Sequence, residues 1–199
     1  MKQLYLLLFF MFMGFSAFAQ LPDGSTAPNW TLTDLNGNSH TLYSVLDQGI
    51  PAIIDFSATW CGPCWNYHQQ HHLEDLYDEY GPTGTVEQDA VRVYWIESDS
   101  GTNDPCMTNS PGCTGGTQGD WTAGTDFPLF NPPNENVPAA YQIGAYPTII
   151  AVCPDRKMYE TGQANKNTLV TWINETCALD QSFFVTDETC NGDGTGMID

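Results

Sequence analysis

Apolar and polar positions along the chain divide it into short elements. The central apolar run, Pro51-Ala52-Ile53-Ile54-Asp55-Phe56, predicts a buried strand. Before it, Asn29 to Leu35 alternates through Trp30 and Leu32, Asn36-Gly37-Asn38 supplies a turn, and His40 to Tyr43 returns. That pattern predicts a β-hairpin after a short linker over 20–27. A short helical turn is expected from Ser44 to Asp47. Cys61 to about Tyr80 reads as one helix, with Leu73, Leu76 and Tyr77 on one face and Gly81-Pro82 ending it. Ala90 to Glu97 is apolar on both parities, as in a strand covered on two faces. Pro138 to Ile143 predicts a short helix. Thr148 to Val152 and Met158 to Thr161 predict paired strands around the turn Pro154-Asp155-Arg156-Lys157, and Asn167 to Cys177 a closing helix.

Residues 98–136 break this order. They are rich in Gly, Pro, Thr, Asn and Asp and have no sustained period. A structureless loop of that length is uncommon inside a compact domain, so a functional or disulfide-pinned insertion is expected. Cys106 and Cys113 flank the turn Asn109-Ser110-Pro111-Gly112 and are expected to bond.

Composition then narrows the setting. Lys2, the apolar run Leu4 to Phe12 and Ala17-Phe18-Ala19 have the form of a secretory signal over 1–19. The run is short for a membrane span, and no later stretch approaches one. The expectation is a single domain over 20–182, exported to the periplasm, cell surface or medium of a bacterium, with no membrane insertion after signal removal. A polar tail over 183–199 follows. The formal net charge is −19, and removing Lys2 leaves four basic residues against 24 acidic ones. A chain this acidic has no electrostatic footprint for nucleic acid. Export implies an oxidising compartment in which cysteines pair.

The chemistry centres on Trp60-Cys61-Gly62-Pro63-Cys64, directly after the central strand. Cysteines so placed fall on the first turn of a helix, where free N–H groups and the helix dipole favour a thiolate, the nucleophilic form. Cys61, at the exposed tip, is the expected attacker. Cys64, one turn deeper, can close the disulfide. Pro63 suits a first turn, where its missing N–H has no partner to lose. A permanent disulfide staple or half of a zinc site remains an alternative. A zinc site needs further ligands, and no second C-x-x-C is present.

Trp60-Cys61-Gly62-Pro63-Cys64 resembles the active-site motif of thioredoxin and its exported, TlpA-type relatives. Asp55, six residues before Cys61, stands where that family places a buried acid. Ala145-Tyr146-Pro147-Thr148 precedes a strand, as does the family's cis-proline, and Ala27 to Gly37 resembles the N-terminal hairpin of the redoxin subgroup. The resemblance covers roughly 25–180. It implies an α/β thioredoxin fold: a central mixed sheet flanked by helices, with an N-terminal β-hairpin extension and a long Cys-containing insertion. It implies that Asp55 takes the proton from Cys64, and that Tyr146 and Pro147, with Trp60, Gly62 and Pro63, meet the substrate. No cofactor is expected, since the electrons ride on the Cys61/Cys64 pair. Gly-Pro between the cysteines is what reducing members carry. Partners would then be disulfide-containing exported proteins and a membrane or periplasmic thiol donor. An oxidase or isomerase is the alternative within this chemistry; a non-catalytic adhesion or scaffold module is the alternative outside it.

Two departures from the family pattern stand out. Gln69 occupies the place of a helix-kinking proline, so a straighter helix is expected. No lysine neighbours Asp55, and Arg92 is the base in the adjacent strand. His68, His71 and His72 could face a metal together with Cys64, but a solvated helix face is the expected reading. Glu97, Asp99, Asn103 and Asp104 likewise read as an ordinary acidic loop. Cys177 and Cys190 are the expected third pair, leaving Cys153. The stretch Gly119 to Thr125 resembles an element of exported redoxins of gliding bacteria. Asp187 to Gly196 resembles the start of a Gly/Asp-rich surface-protein repeat, as if the chain were a fragment or had lost its repeats.

Overall fold

The computed structural model describes residues 20–132 and 137–177. The signal, the repeat-like tail and Cys190 lie outside the described residues. Thr31–Thr33 (β1) and Ser39–Thr41 (β2) form an antiparallel hairpin, with Leu32 opposite His40. Asp34 closes its turn by accepting from the backbone N–H groups of Asn36 and Asn38. Helix Leu42–Leu46 (α1) starts two residues earlier than its Ser44 expectation, because Leu42 and Leu46 both bury.

Five strands make the main sheet: Ala52–Ser57 (β3), Arg92–Glu97 (β4), Leu129–Phe130 (β5), Thr148–Val152 (β6) and Met158–Glu160 (β7), in spatial order β5-β4-β3-β6-β7. β3 is parallel to β4 and antiparallel to β6, so the sheet is mixed. Every residue of β3 and β6 is buried. Side chains alternate across a strand, so the sheet divides two apolar cores. One face presents Ile53, Val93, Trp95, Ile149 and Ala151. The other presents Ile54, Phe56, Tyr94, Ile96 and Ile150, packed against Trp30, Leu42 and Tyr141. The residues expected to be a linker are pinned instead: Gly24 and Ser25 exchange backbone hydrogen bonds with Met158.

The first core is closed by Gly62–His68 (α2), His72–Tyr80 (α3) and, after the short helices Asp104–Met107 (α4) and Val137–Ala140 (α5), by Lys166–Trp172 (α6). Two expectations need correction. The helix from Cys61 to Tyr80 is not continuous: after Gln69, the N–H groups of Gln70 and His71 reach back three residues, and His71 adopts φ 55°, in the left-handed region. The break needs no proline. The insertion is not structureless either, since it carries α4 and ends as β5 on the sheet edge beside β4.

Cys106 bonds Cys113. The third pair differs from expectation: Cys153 bonds Cys177, because a π-turn over Ile173–Cys177 brings the end of the last helix onto the end of β6. The bond closes a loop of 24 residues. A Cys153→Ala, Cys177→Ala double variant should lose about 3 kcal/mol of stability on the chain-entropy estimate. Urea unfolding with Cys106–Cys113 intact measures it.

Candidate active site

The polypeptide leaves β3 at Ser57, crosses Ala58 to Trp60, and enters α2. Cys61 is the N-cap of that helix, with extended backbone, and its Sγ accepts from the Cys64 N–H at 3.2 Å. Cys61 and Cys64 are bonded to each other, with their Cα atoms 5.3 Å apart. Pro63 lies in the first turn and is exposed, and Gly62 is half-buried. Cys61 itself is only 4% exposed, which corrects the exposed-tip expectation.

The insertion is what covers it. The Thr59 hydroxyl donates to the Gly116 carbonyl at 2.9 Å, and the Gln118 N–H to the Thr59 carbonyl at 2.9 Å. The Gln118 side chain donates to the Trp60 carbonyl at 2.8 Å. Gly119 has no side chain because none fits: a Cβ there would stand 2.5 Å from the Trp65 ring. Trp60 remains 43% exposed, and its indole N–H donates to Asp99 at 2.7 Å. Across from Trp60 is Tyr146, ring centroids 6.2 Å apart, whose hydroxyl donates to the Ser98 carbonyl. The Tyr146–Pro147 peptide is cis, and Pro147 is half-buried.

Asp55 is 2% exposed. It shares the strand parity of Ile53, which packs in the same core as Cys61 and Cys64. Its strand neighbours are Trp95 and Ile149, and Ser57 donates to it at 2.5 Å. Burial pushes its carboxyl up to about 7; the Ser57 bond opposes this, and the nearby Glu74 charge adds to it.

No protein-family model matches the chain. The thiol-disulfide oxidoreductase ResA of Geobacillus kaustophilus is 40% identical over 70 residues, which is 35% of this chain and 37% of that one. The chain therefore spans little more than a third of that relative's length. ResA of Bacillus anthracis is 25% identical over 170 residues, 84% of this chain and 86% of that one. Among solved structures, the thioredoxin domain of a thiol-disulfide oxidoreductase from Bacteroides vulgatus superposes with a TM-score of 0.54 at 20% identity. It covers 79% of this chain and 99% of that one.

The fold is that of thioredoxin domains.

Within this thioredoxin-like frame, three residues escaped the pattern reading. Glu97 is not a loop acid. It is 3% exposed, and its two oxygens accept the N–H groups of Thr59 and Asp99 at 2.8 and 2.9 Å. One carboxylate thus ties the turn before the cysteines to the start of the insertion. His68 is not on a solvated face. It is 7% exposed, and its Nδ1 lies 2.9 Å from Glu74 Oε1. Trp121 of the insertion is fully buried, with ring centroids 5.0 Å from Trp65, His68 and Trp95. A signal existed only for Glu97, the last residue of an apolar strand beside a motif; the others depend on a helix break that no local residue announces.

Two outcomes follow from these placements. Glu97→Gln puts an NH2 donor in place of one of the two oxygens that accept backbone N–H groups and should cost about 1–3 kcal/mol, read by urea unfolding, with a change in Trp60 fluorescence. Asp55 holds its proton to about pH 7 when folded and releases it near 3.8 when exposed. Between these values the folded state binds more protons, so this group's stabilisation declines as pH rises from about 4 to about 7. Oxidised Asp55→Asn should therefore gain on the unsubstituted protein across that range, by up to a few kcal/mol. Thermal melts of both proteins from pH 4 to 8 measure the difference.

Proposed function

We propose that this chain is an exported thiol–disulfide oxidoreductase that reduces disulfides in other exported proteins. The carrying observation is the pair itself: Cys61 and Cys64 bonded at a helix start, on the core that holds Asp55, with cis Tyr146–Pro147 nearby. In the reduced protein the Cys61 thiolate attacks one sulfur of a substrate disulfide. The S–S bond breaks, a mixed disulfide forms, and one substrate thiolate leaves. Asp55, ionised, takes the proton of Cys64. The Cys64 sulfur then attacks Cys61, and the second substrate thiolate departs. Two electrons pass to the substrate and the protein ends as the Cys61–Cys64 disulfide.

An extended substrate would pair with the backbone at Tyr146 and rest on Trp60, a short β-augmentation beside Gly62 and Pro63. An extracytoplasmic thiol donor would restore the dithiol. The signal-like N-terminus and the three disulfides support export. The burial of Cys61 favours a second reading, in which the pair is an inert staple in a scaffold module.

Insulin reduction by fully reduced protein separates the two. The oxidoreductase turns over; Cys61→Ser abolishes turnover; Cys64→Ser accumulates a mixed disulfide through Cys61. Asp55→Asn should slow turnover by on the order of a hundredfold. No turnover where a control thioredoxin works would leave the scaffold. A couple more oxidising than about −180 mV would select oxidase over reductase.

A further inference from the structure

A strap of a few residues runs beside Cys61, and a disulfide ties it down. Its sequence over 114–119 is Thr-Gly-Gly-Thr-Gln-Gly, with no large apolar side chain. Its hold on the site is polar. The Thr59 hydroxyl donates to the Gly116 carbonyl, the Gln118 N–H to the Thr59 carbonyl, and the Gln118 side chain to the Trp60 carbonyl. That last carbonyl belongs to the peptide bond leading into Cys61, so Gln118 stands one peptide from the nucleophile. Gly116 lies against Trp60 as well, since a Cβ there would stand 3.5 Å from the Trp60 Cβ. Thr59 is fully buried and Cys61 nearly so.

The two ends of the strap are held differently. Downstream, Trp121 is fully buried in the core that contains Cys61 and Cys64. Upstream, the strap begins after Cys113, bonded to Cys106 of α4. Asn103 reinforces that end: its Oδ1 accepts the Thr114 N–H at 2.9 Å, and its Nδ2 donates to the Gly112 carbonyl at 3.0 Å. Gly115 then packs on Thr102, where a Cβ would stand 2.5 Å from the Thr102 methyl. Hydrogen bonds between exposed groups open locally at little cost, whereas buried apolar packing does not. Gly116 and Gln118 are exposed, so the upstream end depends on the disulfide. Of the two disulfides outside the active site, this is the one a thiol reaches. Cys153 and Cys177 are both buried and bond at a separation of 24 residues. Cys113 is half-buried between exposed Gly112 and Thr114, and it bonds at a separation of 7. A shorter loop gains less from chain entropy, and a more exposed disulfide is more easily reduced.

We propose that segment 114–119 is a redox-controlled strap over the dithiol: with Cys106–Cys113 formed it closes Cys61 to partners, and reduction of Cys106–Cys113 releases it. The inference rests on the oxidoreductase reading above and adds a regulation to that site. The reductant is the same class of dithiol donor that restores the Cys61/Cys64 pair. One donor thiolate attacks Cys113 Sγ, the Cys106–Cys113 bond breaks, and Cys106 leaves as a thiolate that takes a proton. The second donor thiolate attacks the donor sulfur of the mixed disulfide, and Cys113 leaves and is protonated in turn. The donor ends as a disulfide, and the chain gains two electrons and two protons. Partners are then admitted to Cys61 when the donor is plentiful.

The test uses the full chain with Cys64→Ser and Cys190→Ser, in which Cys61 is the single free thiol while Cys106–Cys113 and Cys153–Cys177 stay bonded. The readout is the rate at which iodoacetamide alkylates Cys61. Adding Cys106→Ala and Cys113→Ala should speed it about tenfold or more, and adding Gln118→Ala instead should speed it several-fold. Strap release exposes little surface, so the faster rate should stay nearly flat in urea below the unfolding transition. An unchanged rate without Cys106–Cys113, or an increase that follows the urea slope of global unfolding, overturns the inference. In a dithiothreitol titration with Cys106 and Cys113 in place, pulse labelling of Cys61 should rise as Cys106–Cys113 opens and while Cys153–Cys177 remains closed. A rise that waits for Cys153–Cys177 overturns the inference. Should the alanine variant fail to fold, Gln118→Ala and the dithiothreitol titration decide. Insulin turnover by the unsubstituted chain tests the underlying reading by itself. Turnover with none of these labelling changes keeps the oxidoreductase and removes the strap; no turnover removes both.

Discussion

The site depends on one buried carboxylate, that of Glu97. β3 and β4 run parallel and side by side, so the chain leaves both at the same end of the strands. The turn into α2 and the start of the insertion are therefore neighbours, each with a backbone N–H group that needs an acceptor. Glu97 accepts one from each. Burial pulls its carboxyl toward the protonated form, and the backbone bonds pull the other way. From there the chain of contacts continues: Asp99, fixed by Glu97, holds the Trp60 indole, and Trp60 flanks Cys61. The position of the dithiol thus follows from an ion placed at the end of the neighbouring strand.

The insertion is part of the core rather than an appendage to it. Met107, Trp121, Phe127 and Leu129 pack with Ile53, Cys61 and Cys64. Four aromatic rings, Trp65, His68, Trp95 and Trp121, meet edge-on or tilted, an arrangement that suits their quadrupoles. The Trp95 and Trp121 indole N–H groups are buried without partners, which marks this box as assembled for packing rather than for hydrogen bonding. The Cys106–Cys113 bond keeps the loop between them short, and the remaining backbone of the insertion can lie along Thr59 and Trp60.

Residues whose role is set by their immediate neighbours were legible in the sequence. Two-sided burial of β3 shows as an unbroken apolar run, and a helix start shows as Cys-Gly-Pro-Cys after it. The thioredoxin-like order of strands and helices followed from those. What was not legible depends on distant partners. His68 and Glu74 carry polar side chains, and on a continuous helix they would face water. Only Trp121, more than forty residues away, makes their interior position favourable. The Cys153–Cys177 bond was missed for a similar reason. Proximity in sequence favoured Cys190, whereas the π-turn at the end of α6 carries Cys177 back to the sheet.

Electrostatics then bears on the direction of electron flow. An oxidant of this fold is strong when its reduced thiolate is stabilised, since that lowers the cost of the reduced state. Here the surroundings act against a thiolate. Asp55 is buried on the side of the sheet that holds the pair, and Glu97 and Asp99 lie where the insertion begins. Burial, and then the charges of Asp99 and Glu97, raise the proton affinity of the Tyr146 hydroxyl across the site. The opposing contribution is the helix start, seen as the Cys64 N–H donating to Cys61 Sγ. One backbone donor set against several carboxylates leaves the reduced form costly relative to the disulfide. Under the function proposed above, such surroundings favour the reductase direction over the oxidase one.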